Sequence, residues 1–294
     1  MLKITSIQAP NADFYCTRIA EYISSKLSID TQFVSGIPWK EREEMIDSGD
    51  MDIAWLCGLP YIWKADRPNP NVELLAAVVM KGERYRRRPV YFSDVVVRID
   101  SPFRSFEDLR GSRWAFNEPN SHSGYNVVRY HLATLGLTQG YFGEVVESGA
   151  HLDSLEMILN GQIDTSAIDS TVLEMELSTG SDLKERIRIV EVIGPSPIPP
   201  WVISRQLPES TRNSLRQVFL RMHADKAGRA ILDAGQIAQF VSVTNQDYDP
   251  IREMERIGQT VESFLLPPEE PTSKQPKAQR PGFERPTSTP PTDT

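Results

Sequence analysis

The sequence is poor in the features that mark several large protein classes. It has only two cysteines, Cys16 and Cys57, too few for a disulfide scaffold. Cys16 sits among the apolar positions of a helical pattern and reads as core. Cys57 ends a strand pattern just before Gly58, and no His or Asp spacing around it marks a nucleophile. No apolar run approaches the ~18 residues a membrane span needs. The opening Met1-Leu2-Lys3-Ile4-Thr5-Ser6-Ile7 goes directly into a strand pattern. It lacks the basic start, apolar centre and small-residue cleavage site of a secretory signal, which points either to the cytoplasm or to a sequence that has been trimmed and given a new Met. No long basic run occurs and the formal charge is −8, so nucleic acid is not an expected partner. No cluster has metal-ligand spacing, and neither a nucleophile–base pair nor a nucleotide-binding glycine loop is present. No metal, cofactor or catalytic residue is therefore assigned. An anionic ligand stays open, because aligned backbone amides bind anions locally whatever the net charge.

What is present is an ordered alternation of strands and helices. Hydrophobic residues make up 39% of the 294 residues, as a globular chain of one large or two modest domains requires. Lys3 to Gln8 reads as a strand. Tyr15, Ile19, Tyr22, Ile23 and Leu27 repeat at helical intervals, and Thr31 to Val34 is again extended. A helix follows Pro38, and Asp52 to Leu56 is dense enough in apolar residues for a parallel strand buried on both faces. This βαβαβ order predicts an α/β layered domain. Gly58 to Tyr61 reads as a loop after the third strand, in the position where open α/β sheets bind ligands. Leu74 to Met80 and Val90 to Ile99 are strands, separated by a charged loop with Arg86, Arg87 and Arg88. Ser105 to Gly111 reads as a short capped helix, and a second α/β run extends from Arg113 to Leu177. The proline-dense Gly194 to Trp201 suits a crossing between two lobes. Helices follow Pro208 and again from Ala227, and a last one is expected from Tyr248 to Leu265. Eight of the 22 prolines fall in the final 28 residues, so residues 266–294 are expected to be a disordered tail.

The stretch that organises the rest is Asn120-Ser121-His122-Ser123-Gly124-Tyr125. The apolar run Arg113-Trp114-Ala115-Phe116 precedes it, and Tyr125, Val128, Leu132 and Leu135 follow on one helical face. A strand, a hydroxyl-rich turn and a helix start make an anion-binding device. The first amides of a helix lack internal partners and carry the positive end of its dipole. Ser121 and Ser123 add hydroxyl donors, and Gly124 permits close approach of a ligand to the backbone. An ordinary N-cap is the plain alternative.

The order of motifs resembles the phosphate, phosphite and phosphonate-binding proteins of ABC importers, a group within the type II periplasmic-binding-protein fold. Gly49 to Leu56 with Pro60-Tyr61, Tyr91-Phe92-Ser93, Asp100-Ser101-Pro102 and Asp108 to Gly111 are similar to its first elements. Pro119 to Tyr125 resembles its ligand loop. Gly149-Ala150-His151, Gly161 to Asp164, Asp169-Ser170 and Tyr248 to Arg252 follow in the family's order, from roughly residue 3 to residue 260. The resemblance implies a two-lobed α/β fold with the ligand in an interlobe cleft. Lobe I would comprise 1–94 and 200–265, and lobe II 95–199. It further implies capture of a small anionic ligand, an ABC permease as partner, a monomer, and a periplasmic or extracellular location. In this pattern Ser121, His122 and Ser123 would hold the anion, with Tyr91 at the hinge and His151 at the next helix start as further donors. Asp169 would pair with a cationic or hydroxyl part of the ligand, and Trp39, Pro60 and Tyr61 would close the cleft from lobe I. Each has a plainer role: Asp169 as an N-cap, Tyr91 as core, His151 as a satisfied buried residue. Glu174 is the nearest second acid. A cytoplasmic biosynthetic enzyme or a ligand sensor on the same fold are the alternatives.

Overall fold

In the computed structural model, which describes residues 1–180 and 182–265, the alternating pattern folds into two separate mixed sheets. The first part of the chain gives β1 (Leu2–Ser6), α1 (Asp13–Leu27), β2 (Thr31–Val34), α2 (Trp39–Ser48), β3 (Ile53–Trp55), α3 (Gly58–Ala65) and β4 (Val72–Met80). The middle gives β5 (Val90–Arg98), β6 (Arg113–Phe116), α4 (Val127–Thr134), β7 (Glu144–Glu147), α5 (His151–Leu159), β8 (Thr165–Asp169), α6 (Ser170–Ser178), α7 (Leu183–Arg186) and β9 (Ile187–Pro197). The last part gives β10 (Pro200–Ser204), α8 (Glu209–Arg221), α9 (Lys226–Ala234), β11 (Ile237–Val241) and α10 (Asp249–Gly258). The tail expected to be disordered, 266–294, lies outside the described residues.

The first sheet has the order β11-β4-β10-β3-β1-β2, and the second β7-β6-β8-β5-β9. In the first, β1 lies parallel between β2 and β3, with Ile4 opposite both Phe33 and Ile53. In the second, β6 lies parallel between β7 and β8. Parallel neighbours need a crossover element, which the intervening helices supply. Every residue of β3 and of β8 is buried, as strands covered on both faces must be. Each sheet has its own core. Trp55 stacks on Trp201 at 5.6 Å in the first, and Trp114 on Phe142 at 4.5 Å in the second.

The chain passes between the sheets at 81–89, at 198–199 and after α10. The first two passages lie side by side, with the Ile198 amide donating to the Pro89 carbonyl at 3.1 Å. The proline-dense stretch does carry the crossing, although β9 extends through Pro195 to Pro197 before the chain leaves the sheet. β9 is an edge strand, so a proline's missing donor there can fall on the unpaired side.

Three local expectations are corrected. Gly58 to Tyr61 is not a loop but the first turn of α3. An ideal Cβ on Gly58 would lie 2.3 Å from Ile251 Cδ1, so this helix start packs closely on α10 and a side chain there would require Ile251 to move. The helix expected over Ser105 to Gly111 is a single 3-10 turn, Glu107–Leu109. The last helix ends at Gly258 rather than Leu265. There α10 crosses α4 closely: a Cβ on Gly258 would be 3.2 Å from the Tyr130 amide nitrogen. Beyond it the chain turns into the second core, where Val261 and Phe264 are buried. The Phe264 carbonyl accepts from the Tyr141 and Phe142 amides at 2.8 and 2.9 Å. Residues 261–264, expected with the first lobe, thus pack on the second.

Candidate ligand cleft

A cavity of about 180 Å³ opens between the two sheets. Its walls are the chain segments just after strands: Gln8 after β1, Cys57 after β3, Asn117 and Glu118 after β6, and Ala150 after β7. Asp169, the last residue of β8, completes that set, and Pro38, Trp39 and Arg42 of α2 close it from the first sheet. Carboxyl ends of parallel strands are where open α/β sheets leave room for ligands, because the chain turns into helices on either side there.

The organising stretch enters a wide turn, His122–Asn126, with π-type hydrogen bonding before α4 begins. Ser121 caps it, its Oγ accepting from the Gly124 amide at 3.1 Å. Ser123 Oγ lies 2.9 Å from His151 Nε2, so the start of the α4 segment and the start of α5 are tied together at the cavity wall. Gly124 lets the turn approach closely: a Cβ would fall 2.0 Å from Asn117 Oδ1, so that side chain would have to shift. Asp169 caps α6, its Oδ1 accepting from both the amide and the hydroxyl of Thr171 at 2.7 Å. Three helical starts of the second sheet therefore converge on one space. Each brings the positive end of its dipole, with the Ser121 and Asp169 side chains already taking amides at two of them.

The sequence candidates divide into two groups. Ser121, Ser123, His151, Asp169, Trp39 and Pro60 line the cavity. His122, Tyr91, Tyr61 and Glu174 do not. The His122 ring turns inward and is fully buried, with Nε2 3.0 Å from Ser196 Oγ on β9 and Nδ1 3.1 Å from Asn126 Nδ2. The Asn126 amide donates to Nδ1, so the proton sits on Nε2 and points at Ser196. Burial drives its pKa down to about 3, so the ring neither narrows the pocket nor supplies a titrating donor. Its backbone amide is directed at Cys57 Sγ across the cleft, 3.4 Å away. Tyr61 packs on Tyr248 at 4.7 Å and donates to Asn245 Oδ1 at 2.9 Å. Glu174 pairs with Arg84 at 3.2 Å. Tyr91 is core, but its buried hydroxyl has no hydrogen-bond partner among the described residues. Burial holds that phenol well above its ordinary pKa, and Cys57 and Asp169 nearby push the same way.

Residues 15–248 match the model of a family described as ABC transporter, phosphonate, periplasmic substrate-binding protein. The chain belongs to this family. It is 27% identical over 212 residues to the phosphonates-binding periplasmic protein of Escherichia coli, a match covering 69% of this chain. The chain spans about 60% of that relative's length. Its fold is that of a binding-protein component of a phosphonate ABC transporter from Pseudomonas aeruginosa: TM-score 0.77, 20% identity, 88% of this chain and 86% of the other. PhnD1 of Prochlorococcus marinus, solved in complex with methylphosphonate, gives the same TM-score and identity over 88% of this chain and 98% of its own. These likenesses confirm the type II fold expected from the motif order.

Several lining residues carried no signal in the sequence. Arg42 is one, 8% exposed and set in the first-sheet wall. Burial lowers its pKa, while the Asp13 charge works the other way. Glu118 is another. Burial, with the charges of Glu43 and Glu147, pushes its carboxyl up to about 8, so it is largely protonated at neutral pH. Asp169 is raised to about 6, chiefly by burial and against the Thr171 hydrogen bonds. Burial brings His151 down to about 4, leaving it neutral at pH 7. Cys57 is pushed by burial up to about 12.

Proposed function

We propose that this protein captures a small phosphonate-, phosphate- or phosphite-like anion in its interlobe cleft and delivers it to an ABC importer. The lobes in this reading are the two sheets with their helices, dividing at the 81–89 and 198–199 passages; residues 90–94, expected with lobe I, belong to β5 of the second sheet. The observation that carries it is the convergence of the α4, α5 and α6 starts with the Ser123–His151 pair on one cavity. Hydroxyls, amides and a neutral imidazole orient an oxyanion without adding net charge. No bond-making step is invoked. The Cys57 thiol stays protonated at neutral pH, and an unionised thiol is a poor nucleophile.

Closure follows from a ligand that touches both walls more fully in one arrangement of the lobes than in the other. Contacts already run across the cleft: Asn120 Nδ2 to Glu43 Oε2 at 3.2 Å, and Asn11 Nδ2 to Glu176 Oε1 at 2.9 Å. Both walls come from one chain, so a monomer suffices. The site of action in this reading is the periplasm, as in the family's description.

Isothermal titration against methylphosphonate, phosphite, phosphate and acetate tests the reading. At least one phosphorus oxyanion should bind, with acetate weaker. Ser123→Asp should remove that binding by placing like charge where the anion sits. No heat across the panel, or unchanged affinity in Ser123→Asp, would overturn it.

A further inference from the structure

Six residues lining the cavity carry a buried polar atom with no hydrogen-bond partner among the described residues: Gln8, Arg42, Asn117, Glu118, Asn120 and His151. Such atoms are costly to leave unpaired. They are gathered in residues around one space, each of the six atoms itself closed to solvent. Arg42 stands apart because it is a cation on the wall opposite the anion-binding turn. Its Nη1 donates to the Ser6 carbonyl, its Nε is unpartnered, and among the described residues it forms no ion pair within 4.0 Å. Asp13 and Glu118 act on it electrostatically, but neither carboxyl reaches it within ion-pair distance. A buried guanidinium without a carboxylate is an incomplete pair.

The volume makes the same point. One water needs about 10–15 Å³ measured this way, so 180 Å³ holds far more than a phosphonate group and a methyl. A ligand that fills the space and engages the second-sheet turn also reaches Arg42.

We propose that the ligand is bifunctional, a phosphonocarboxylate whose phosphonate sits at Ser121, Ser123 and His151 and whose carboxylate sits against Arg42. This deepens the function proposed above and rests on it. The planar guanidinium fork matches a carboxylate better than it matches a single point charge. Glu118, protonated at neutral pH, offers that carboxylate a hydrogen rather than a repelling charge. The two ends of the ligand fall on opposite lobes, so only the intact molecule joins α2 to the α4 and α5 starts.

The experiment is titration of the full chain at pH 7 with methylphosphonate, phosphonoacetate and 2-aminoethylphosphonate, in wild type and Arg42→Gln. Phosphonoacetate should bind wild type at least about 10-fold more tightly than methylphosphonate, the range of one or two charge-assisted hydrogen bonds. In Arg42→Gln that preference should fall to about twofold or less. A preference that survives in Arg42→Gln overturns the assignment. So does a wild-type ranking with 2-aminoethylphosphonate tightest, which would give the second subsite to Asp169 as an ammonium partner. If Arg42→Gln fails to fold, the wild-type ranking decides alone. Binding of methylphosphonate without any phosphonoacetate advantage defeats only this inference. Binding of none of the three defeats the function reading as well.

Discussion

Glu118 gives the cleft a measurable pH signature. Its carboxyl is raised to about 8 in the folded protein, from burial first and then from Glu43 and Glu147, against about 4.3 in an unfolded chain. Between those values the native state holds a proton that the unfolded state has lost. Stability contributed by this group is therefore full below about pH 4, falls as pH rises, and is gone above about pH 8. The slope is at most about 1.4 kcal/mol per pH unit. From pH 6.5 to 8.5 the part below 8 amounts to about 2 kcal/mol, and water reaching this half-buried side chain brings the expected loss nearer about 1 kcal/mol. The window starts above the value of about 6 for Asp169, so that group is already largely ionised and adds little. Glu118→Gln removes the proton exchange and keeps the shape. Thermal melting of both proteins at pH 6.5 and 8.5 reads the difference. Wild type should lose about 3 °C more than Glu118→Gln, since a domain of this size shifts about 2–4 °C per kcal/mol. Parallel losses in the two proteins would refute a raised Glu118 and, with it, the uncharged donor beside Arg42.

Two further outcomes follow from packing and charge. Gly124→Ala places a methyl 2.0 Å from Asn117 Oδ1 and 3.1 Å from His151 Cε1; it should cost about 1–3 kcal/mol and weaken methylphosphonate binding, and unchanged melting and titration would show that the turn has room. Arg84, on the 81–89 passage, holds the fully buried Asp94 through two hydrogen bonds of 2.6 and 3.0 Å. Arg84→Met leaves that carboxylate without its cation and should cost about 3–5 kcal/mol; adding Asp94→Asn should recover more than half in urea denaturation, and equal stability of the single and double variants would sink the explanation.

Much of this molecule is written locally. The order of strands and helices, the hydroxyl-rich turn from Ser121 and the proline-dense crossing before Trp201 follow from periodicity and residue chemistry. Each depends on neighbours a few positions away. The roles of His151 and Asp169 were open in the sequence; the fold places both on the cavity, and Asp169 is an N-cap as well. Orientation is where local reading failed. His122 sits between two lining serines, yet the wide turn swings its ring into the buried space beside Ser196. Helical periodicity runs on past Gly258, but the helix ends there and the chain turns so that the second core takes Val261 and Phe264.

Sequence by itself determined the fold class and the hydroxyl-rich turn, because these rest on spacing within short segments, and the resemblance of its ordered motifs pointed to the family. Only the tertiary structure decided that Arg42, Gln8 and Glu118 share a cavity with that turn. Their charges and unpaired atoms acquire meaning through burial and through neighbours brought from distant parts of the chain, and neither has any trace in local spacing.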